Sequence, residues 1–238
     1  MKKLLSVITC LSVFGLASGI MSFNSIKQDA LTGAWHQQKG TVETVWVFVD
    51  GYAVQATYDK LNRKFMDTWG GPYTVNGGKI SINTEFNTAN SDKVGQPVEF
   101  DFTMGDGKLS FKESGSWTRL DNGTAPLAGN WRISGRMQDG KMVEIKPAAR
   151  KTLKILSGTR FQWIAINPEV RGFYGTGGGT YTFTNGKYTE KIEFFSRDST
   201  RVGASLTFDG KVENKAWNHS GLNSRGEPLN EIWSREGK

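Results

Sequence analysis

Gly70-Gly71-Pro72-Tyr73-Thr74-Val75 recurs later in the same chain as Gly178-Gly179-Thr180-Tyr181-Thr182-Phe183, an offset of 108 residues from Tyr73 to Tyr181. The offset then persists without a gap. Gly78-Lys79 falls on Gly186-Lys187, Glu85-Phe86 on Glu193-Phe194, Val94-Gly95 on Val202-Gly203 and Phe100-Asp101 on Phe208-Asp209. Self-similarity at a fixed spacing marks a duplicated structural unit. The ends of the two copies agree as well. Leu31-Thr32-Gly33-Ala34-Trp35 opens the first and Leu127-Ala128-Gly129-Asn130-Trp131 the second; Trp117-Thr118-Arg119 and Trp233-Ser234-Arg235 close them. Between the copies lies the turn-rich linker Asp121-Asn122-Gly123-Thr124-Ala125-Pro126. The units therefore span residues 31–120 and 127–236.

Both units read as β throughout. Thr41 to Val49 and Tyr52 to Tyr58 are alternating or continuous apolar runs separated by Asp50-Gly51, a hairpin signal. Further runs follow at Lys79 to Phe86, Val94 to Thr103 and Lys108 to Phe111, punctuated by Asn76-Gly77, Asn90-Ser91-Asp92 and Asp106-Gly107. The second copy repeats the punctuation at Asn185-Gly186 and Asp209-Gly210. About eight strands of ordinary length fit each copy. Hairpin-linked antiparallel strands leave free edges unless the sheet closes, so the fold class is all-β, with two tandem antiparallel barrels. The one helical turn expected is near Pro147-Ala148-Ala149-Arg150, in an insertion found mainly in the second copy.

An opening Gly-x-Trp, a β-meander and a last strand bearing Arg resemble the lipocalin and calycin barrels. The resemblance implies that Trp35 with Arg119, and Trp131 with Arg235, plug and cross the closed end of their barrels. The second copy, from Lys154-Ile155-Leu156 to Glu231-Ile232-Trp233-Ser234-Arg235, is more specifically similar to the lipocalin-like domains of uncharacterised secreted bacterial proteins.

Strand alternation assigns faces. Ile80, Ile82, Thr84 and Phe86 share one face that should point inward, and their counterparts are Tyr188, Glu190, Ile192 and Phe194. Where the first copy has Ile82, the second therefore carries a carboxylate. Trp217 and His219 share a face of a later strand, so Tyr188, Glu190, Trp217 and His219 are candidates to converge inside the second barrel, with Phe161 and Trp163 as its walls. An apolar cavity with a few convergent polar groups is the usual form of a small-molecule site. Each residue also has a plain structural reading. A bulge would turn Glu190 to solvent, His219 before Ser220-Gly221 would cap a turn, and the tryptophans would be core or rim. Glu85 and Glu193 have the opposite parity and are expected to pair with surface lysines.

Composition narrows the function. With 29 glycines in 238 residues, against a usual ~7%, and 28 aromatics, the chain is folded and rich in turns. Lys2 and Lys3 precede an apolar run to about Leu16, then Ala17-Ser18-Gly19, the layout of a secretory signal peptide over residues 1–19. The expected localisation is secreted or periplasmic. Lipoprotein anchoring through Cys10 is disfavoured by Thr9 before it and by the short stretch ahead of it. Cys10 is the chain's one cysteine, which argues against a disulfide framework and a Cys-based metal site. The formal charge of +7 is spread out, with its densest stretch at Lys146 to Lys154; this pattern points away from nucleic acid and suits solubility or contact with acidic glycans or lipids.

Gly175-Thr176-Gly177-Gly178-Gly179 has no following Lys-Ser/Thr and runs into a strand, which argues against a phosphate loop. No catalytic signature and no cofactor are implied, although His219 is the one candidate for a haem ligand. Three readings result: an exported protein binding a small apolar or amphipathic molecule in the second barrel, without stable membrane insertion; an envelope protein- or glycan-interaction module with filled barrels and an exposed aromatic patch at Trp69 or Phe173-Tyr174; and, third, an enzyme using Glu190 or His219.

Overall fold

The computed structural model describes residues 28–236. The expected signal peptide and Cys10 lie outside the described residues. The first sheet contains β1 (Gly33–Lys39), β2 (Val42–Val49), β3 (Tyr52–Asp59), β4 (Lys64–Asn76), β5 (Lys79–Asn83), β6 (Phe86–Asn87), β7 (Pro97–Gly105), β8 (Lys108–Phe111) and β9 (Gly115–Asp121). Pairing of β1 with β9 and of β3 with β4 closes eight of these strands into an antiparallel barrel, leaving the two-residue β6 as a side branch on β4.

The second sheet contains β10 (Gly129–Gln138), β11 (Lys141–Glu144), β12 (Lys151–Leu156), β13 (Arg160–Asn167), β14 (Gly172–Thr184), β15 (Lys187–Phe195), β16 (Ser205–Glu213), β17 (Ala216–Leu222) and β18 (Pro228–Arg235). It closes through β10 and β18, again with eight strands, and β11 is an outlying hairpin strand on β10. Two closed eight-stranded barrels in tandem agree with the sequence expectation.

Local chemistry explains most turns. Asp50 and Gly51 both have positive φ, 49° and 72°, as a tight hairpin between right-twisted strands requires. Asn185-Gly186 does the same between β14 and β15. Asp209-Gly210, however, lies inside β16, and the turn falls at Asn214-Lys215, both with positive φ. Residues 147–150 form no helical turn. Pro147 contributes no amide, the stretch is too short to nucleate a helix, and the Ala148 carbonyl instead accepts a bond from Arg132 at 2.5 Å. Short 3₁₀ turns occur at Gln28–Leu31, Ser91–Lys93, Pro168–Val170 and Ser199–Arg201.

Each barrel is shut at one end in the same way. Trp35 pairs across the ladder with Arg119, whose guanidinium stacks 3.9 Å from the indole centre; Trp131 and Arg235 repeat this at 4.1 Å. Both indoles donate to the leucine carbonyl four residues earlier, Leu31 or Leu127, at 2.8 Å. Gly129 is needed at this closure, because a Cβ there would overlap the Arg235 guanidinium.

The two barrels share an apolar seam built from outer faces. Val45, Val47, Val54 and Ala56 on β2 and β3 pack with Leu153, Ile155, Ile164 and Ile166 on β12 and β13. By register, Val45 corresponds to Leu153, Val47 to Ile155 and Ala56 to Ile164, so the same patch is used from both copies, as in a two-fold symmetric dimer. Ionic clusters flank the seam. Glu193 accepts from Arg160 at 2.6 Å and from Tyr58 of the other barrel at 3.0 Å; its repeat partner Glu85 accepts from Tyr52 and from Lys151 of the other barrel, both at 2.8 Å. Glu193 also accepts from the exposed Lys60 of the other barrel at 3.3 Å, so each carboxylate pairs with a lysine, as expected, but one reaching across the seam; Lys151 is largely buried there. The aromatic patch expected at Trp69 or Phe173-Tyr174 does not form. Trp69 meets Trp46 edge to face inside the first barrel, Phe173 packs against the seam, and Tyr174 lies under Arg150.

Candidate functional site

The first barrel is filled. Trp46 and Trp69 meet edge to face at 4.9 Å, Phe111 lies 6.3 Å from Trp46, and Ile82 is 1% exposed beside them. Its open end carries a broad depression in which Gln38, Lys39, Met66, Ser116 and Thr118 are exposed.

Register equates these positions with those of the second barrel. Trp46 is the partner of Trp35, and Lys154 is the partner of Trp131. Trp69 corresponds to Gly177 and Ile82 to Glu190. Phe111 corresponds to His219 and Gly115 to Glu231. Four large apolar side chains are replaced by glycine or ionisable groups, and Glu231 stands where the first barrel has Gly115. The interior opens accordingly into a cavity of about 240 Å³. Gly177 cannot carry a side chain there, because a Cβ would come within 2.7 Å of the Trp163 ring nitrogen, which has taken the space.

The walls are Ile133, Trp163, Ile192, Phe195, Leu206, Phe208, Leu229 and Trp233. Arg136, Arg201, Asn223 and Ser224 stand at the mouth, where the β10–β11 hairpin, the β15–β16 connection and the β17–β18 turn meet. Arg201 spans the latter two, bonding Asp198 at 2.9 Å and the Ser224 carbonyl.

The polar groups lie on one side. Lys154 Nζ donates to Glu190 Oε1 at 2.8 Å, and both side chains are 6% exposed. The ammonium also sits 5.1–5.3 Å from the ring centres of Tyr188, Trp217 and Trp233, an aromatic cage that offsets part of its lost hydration. His219 is 1% exposed, packed 4.2 Å from Phe208, and neither ring nitrogen has a hydrogen-bond partner among the described residues. Its Nδ1 lies 3.6 Å from Glu231 Oε2, beyond a hydrogen bond but within reach of charge attraction. Burial and the Lys154 charge lower the His219 pKa, and together they outweigh the carboxylates nearby, so the ring is neutral at pH 7. Burial raises the Glu231 carboxyl, yet His219, Lys154 and Arg136 outweigh it and its pKa is lowered. Tyr188 is pushed well above the ordinary phenol range by burial and by Glu190.

Of the residues expected from sequence, Glu190, His219 and Trp163 line the cavity. Tyr188, Trp217 and Phe161 do not; they are at most 2% exposed and form the packed floor beneath it. Glu190 faces inward because the register shift opposite Gly178-Gly179 falls after Ile192. That shift turns Phe194 out into the seam and Phe195 into the cavity. His219 caps no turn, since β17 continues to Leu222. Lys154 and Glu231 were missed. The offset of 108 residues, carried back to Trp46, falls on Lys154; Glu231 is hidden by extra residues in the β17–β18 turn.

Eight antiparallel strands closed at one end by Trp131 and Arg235 and hollow toward the other form an up-and-down barrel of the kind that encloses a small ligand. Each half is a closed antiparallel barrel, as the resemblance stated from the sequence implies. A lipocalin-like protein from Bacteroides uniformis is similar to this chain at 14% identity, covering 47% of this chain and 100% of that one with a TM-score of 0.34. An uncharacterized protein from Bacteroides eggerthii is similar at 13% identity, covering 46% and 98% with a TM-score of 0.32. No protein-family model and no curated protein matches the chain. No helix among the described residues is long and apolar enough to cross a membrane, and no cluster of metal-ligating side chains occurs among them.

Proposed function

We propose that this is an exported binding protein that holds one small amphipathic molecule in its second barrel, with the first barrel as a filled structural partner. The observation that carries this reading is the set of exchanges at equivalent register positions: Trp46 to Lys154, Trp69 to Gly177, Ile82 to Glu190 and Phe111 to His219. A filled interior is the more stable arrangement. A hollow with a buried ion pair costs stability that a ligand-binding role would account for. Export rests on the residues 1–19 pattern of the sequence.

Size limits the ligand. An apolar cavity of about 150 Å³ takes a benzene ring, so about 240 Å³ suits a body of about ten non-hydrogen atoms. A porphyrin is several times too large for a cavity of about 240 Å³. Native mass spectrometry and thermal shift against a panel of small aryl and alkyl alcohols, acids and amines test the reading. Binding by the intact protein and its loss in Leu206→Trp are expected. Uniform silence across the panel would sink the proposal.

A further inference from the structure

The charge pattern around the mouth carries the reading further, to the class of ligand. Inside the cavity both carboxylates are engaged. Glu190 holds Lys154, and Glu231 accepts from Trp233 Nε1 at 3.1 Å. The place where a cation would gain most, the cage of Tyr188, Trp217 and Trp233, is already filled by the chain's own Lys154. A cationic ligand therefore has no free aromatic cage and would meet the buried ammonium.

The mouth is the reverse. Arg136 is 46% exposed and its nearest carboxylate, Glu231, is 3.9 Å away, so its five donors are largely unspent. Arg197 is exposed and has no ion-pair partner among the described residues. It stands beside Trp163: a Cβ on Gly175 would lie 3.3 Å from Arg197 Nε and 3.5 Å from the Trp163 ring. Only Arg201 is committed, to Asp198 and Ser224. One spare guanidinium, Arg136, thus lines the apolar hollow, and a second, Arg197, stands outside it next to its Trp163 wall. A carboxylate matches a planar guanidinium bidentately, and at the rim it keeps part of its hydration.

Resting on the binding role argued above, we propose that the ligand is a small organic acid, its apolar body between Trp163, Leu206 and Trp233 and its carboxylate on Arg136 at the rim, with Arg197 adding attraction. The test is calorimetric titration of the full chain, at low salt, with hydrocinnamate and the alcohol and amine of the same skeleton. Hydrocinnamate is expected to bind about tenfold or more tighter than the alcohol, as one charge-assisted pair allows, with the amine weakest. In Arg136→Gln that advantage should shrink severalfold, and Arg136→Lys should restore part of it. An amine that binds tightest, an acid no better than the alcohol, or an advantage untouched by Arg136→Gln and Arg197→Gln would overturn the proposal while the alcohol still reports a working cavity. If none of the three binds, the binding role falls with it.

Discussion

Lys154 occupies in the second barrel the register position that Trp46 holds in the first: each faces the tryptophan that shuts its own barrel. A bulky apolar ring and an ammonium are opposite solutions for one inward position. The ring fills the interior. The ammonium requires Glu190, at 2.8 Å, and leaves room above it.

Removing one member of this pair should be worse than removing both. Lys154→Met strands a carboxylate at 6% exposure, and truncating one partner of a buried pair costs about 3–5 kcal/mol. Glu190→Ile, which copies the first barrel, strands the ammonium. The double variant Lys154→Met/Glu190→Ile should recover most of that loss or exceed the parent in stability. Urea denaturation of the three variants checks this, and additive losses would refute the coupling.

Much of this site is legible in the sequence, and for one reason. A duplicated β sequence carries its own control, so an exchange such as Ile82 to Glu190 stands out against an otherwise matched strand. What stayed hidden depended on events that break register. The shift after Ile192 reversed Phe194, which alternation alone had placed inside with Ile82 and Glu190. Docking between the barrels was also illegible, because an outward Val47 or Ile155 reads the same whether it meets solvent or another sheet. Asp209-Gly210 has turn chemistry but sits in a strand, where Gly210 lets Phe183 and the Trp217 indole approach closely.

His219 should make stability fall on mild acidification. Its folded pKa is lowered from the ordinary 6.5, so below about that pH the unfolded chain binds more protons than the native one. The contribution is complete above pH 6.5 and is lost as pH falls toward the depressed native value. The groups facing the ring are Lys154, which opposes protonation, and Glu190 and Glu231, which favour it. His219→Phe, the residue of Phe111, should flatten melting temperature against pH below about 6.5. Equal slopes in parent and variant would show that the ring does not carry the effect. Glu231 acts lower: its lowered pKa stabilises the fold above the ordinary 4.5 and the benefit disappears as pH drops through the native value.

The seam predicts that the tandem melts as one body. Val47, Ile155 and Ile164 are at most 3% exposed, all from packing one barrel on the other. Ile155→Asp would bury an unpartnered carboxylate there, which forces the barrels apart or the carboxyl to protonate. Scanning calorimetry should show one transition for the parent and two for the variant, with a larger radius of gyration in scattering. One unchanged transition in Ile155→Asp would mean that the seam contributes little to cooperativity.

Filling the cavity should separate binding from stability. Leu206 on β16 is part-buried, lines the hollow and faces Glu190 across the ladder, so a larger side chain there grows into empty space rather than into packed core. Leu206→Trp should therefore fold with a melting temperature at or above the parent's, since added apolar contact replaces void. The same variant should lose small-molecule binding altogether. Leu109→Ala in the first barrel is the converse control. It opens a void at a fully buried position, costs about 2–5 kcal/mol, and should leave ligand affinity within twofold of the parent's if the first barrel only supports the second. Binding that survives Leu206→Trp but fails in Leu109→Ala would move the site to the other barrel.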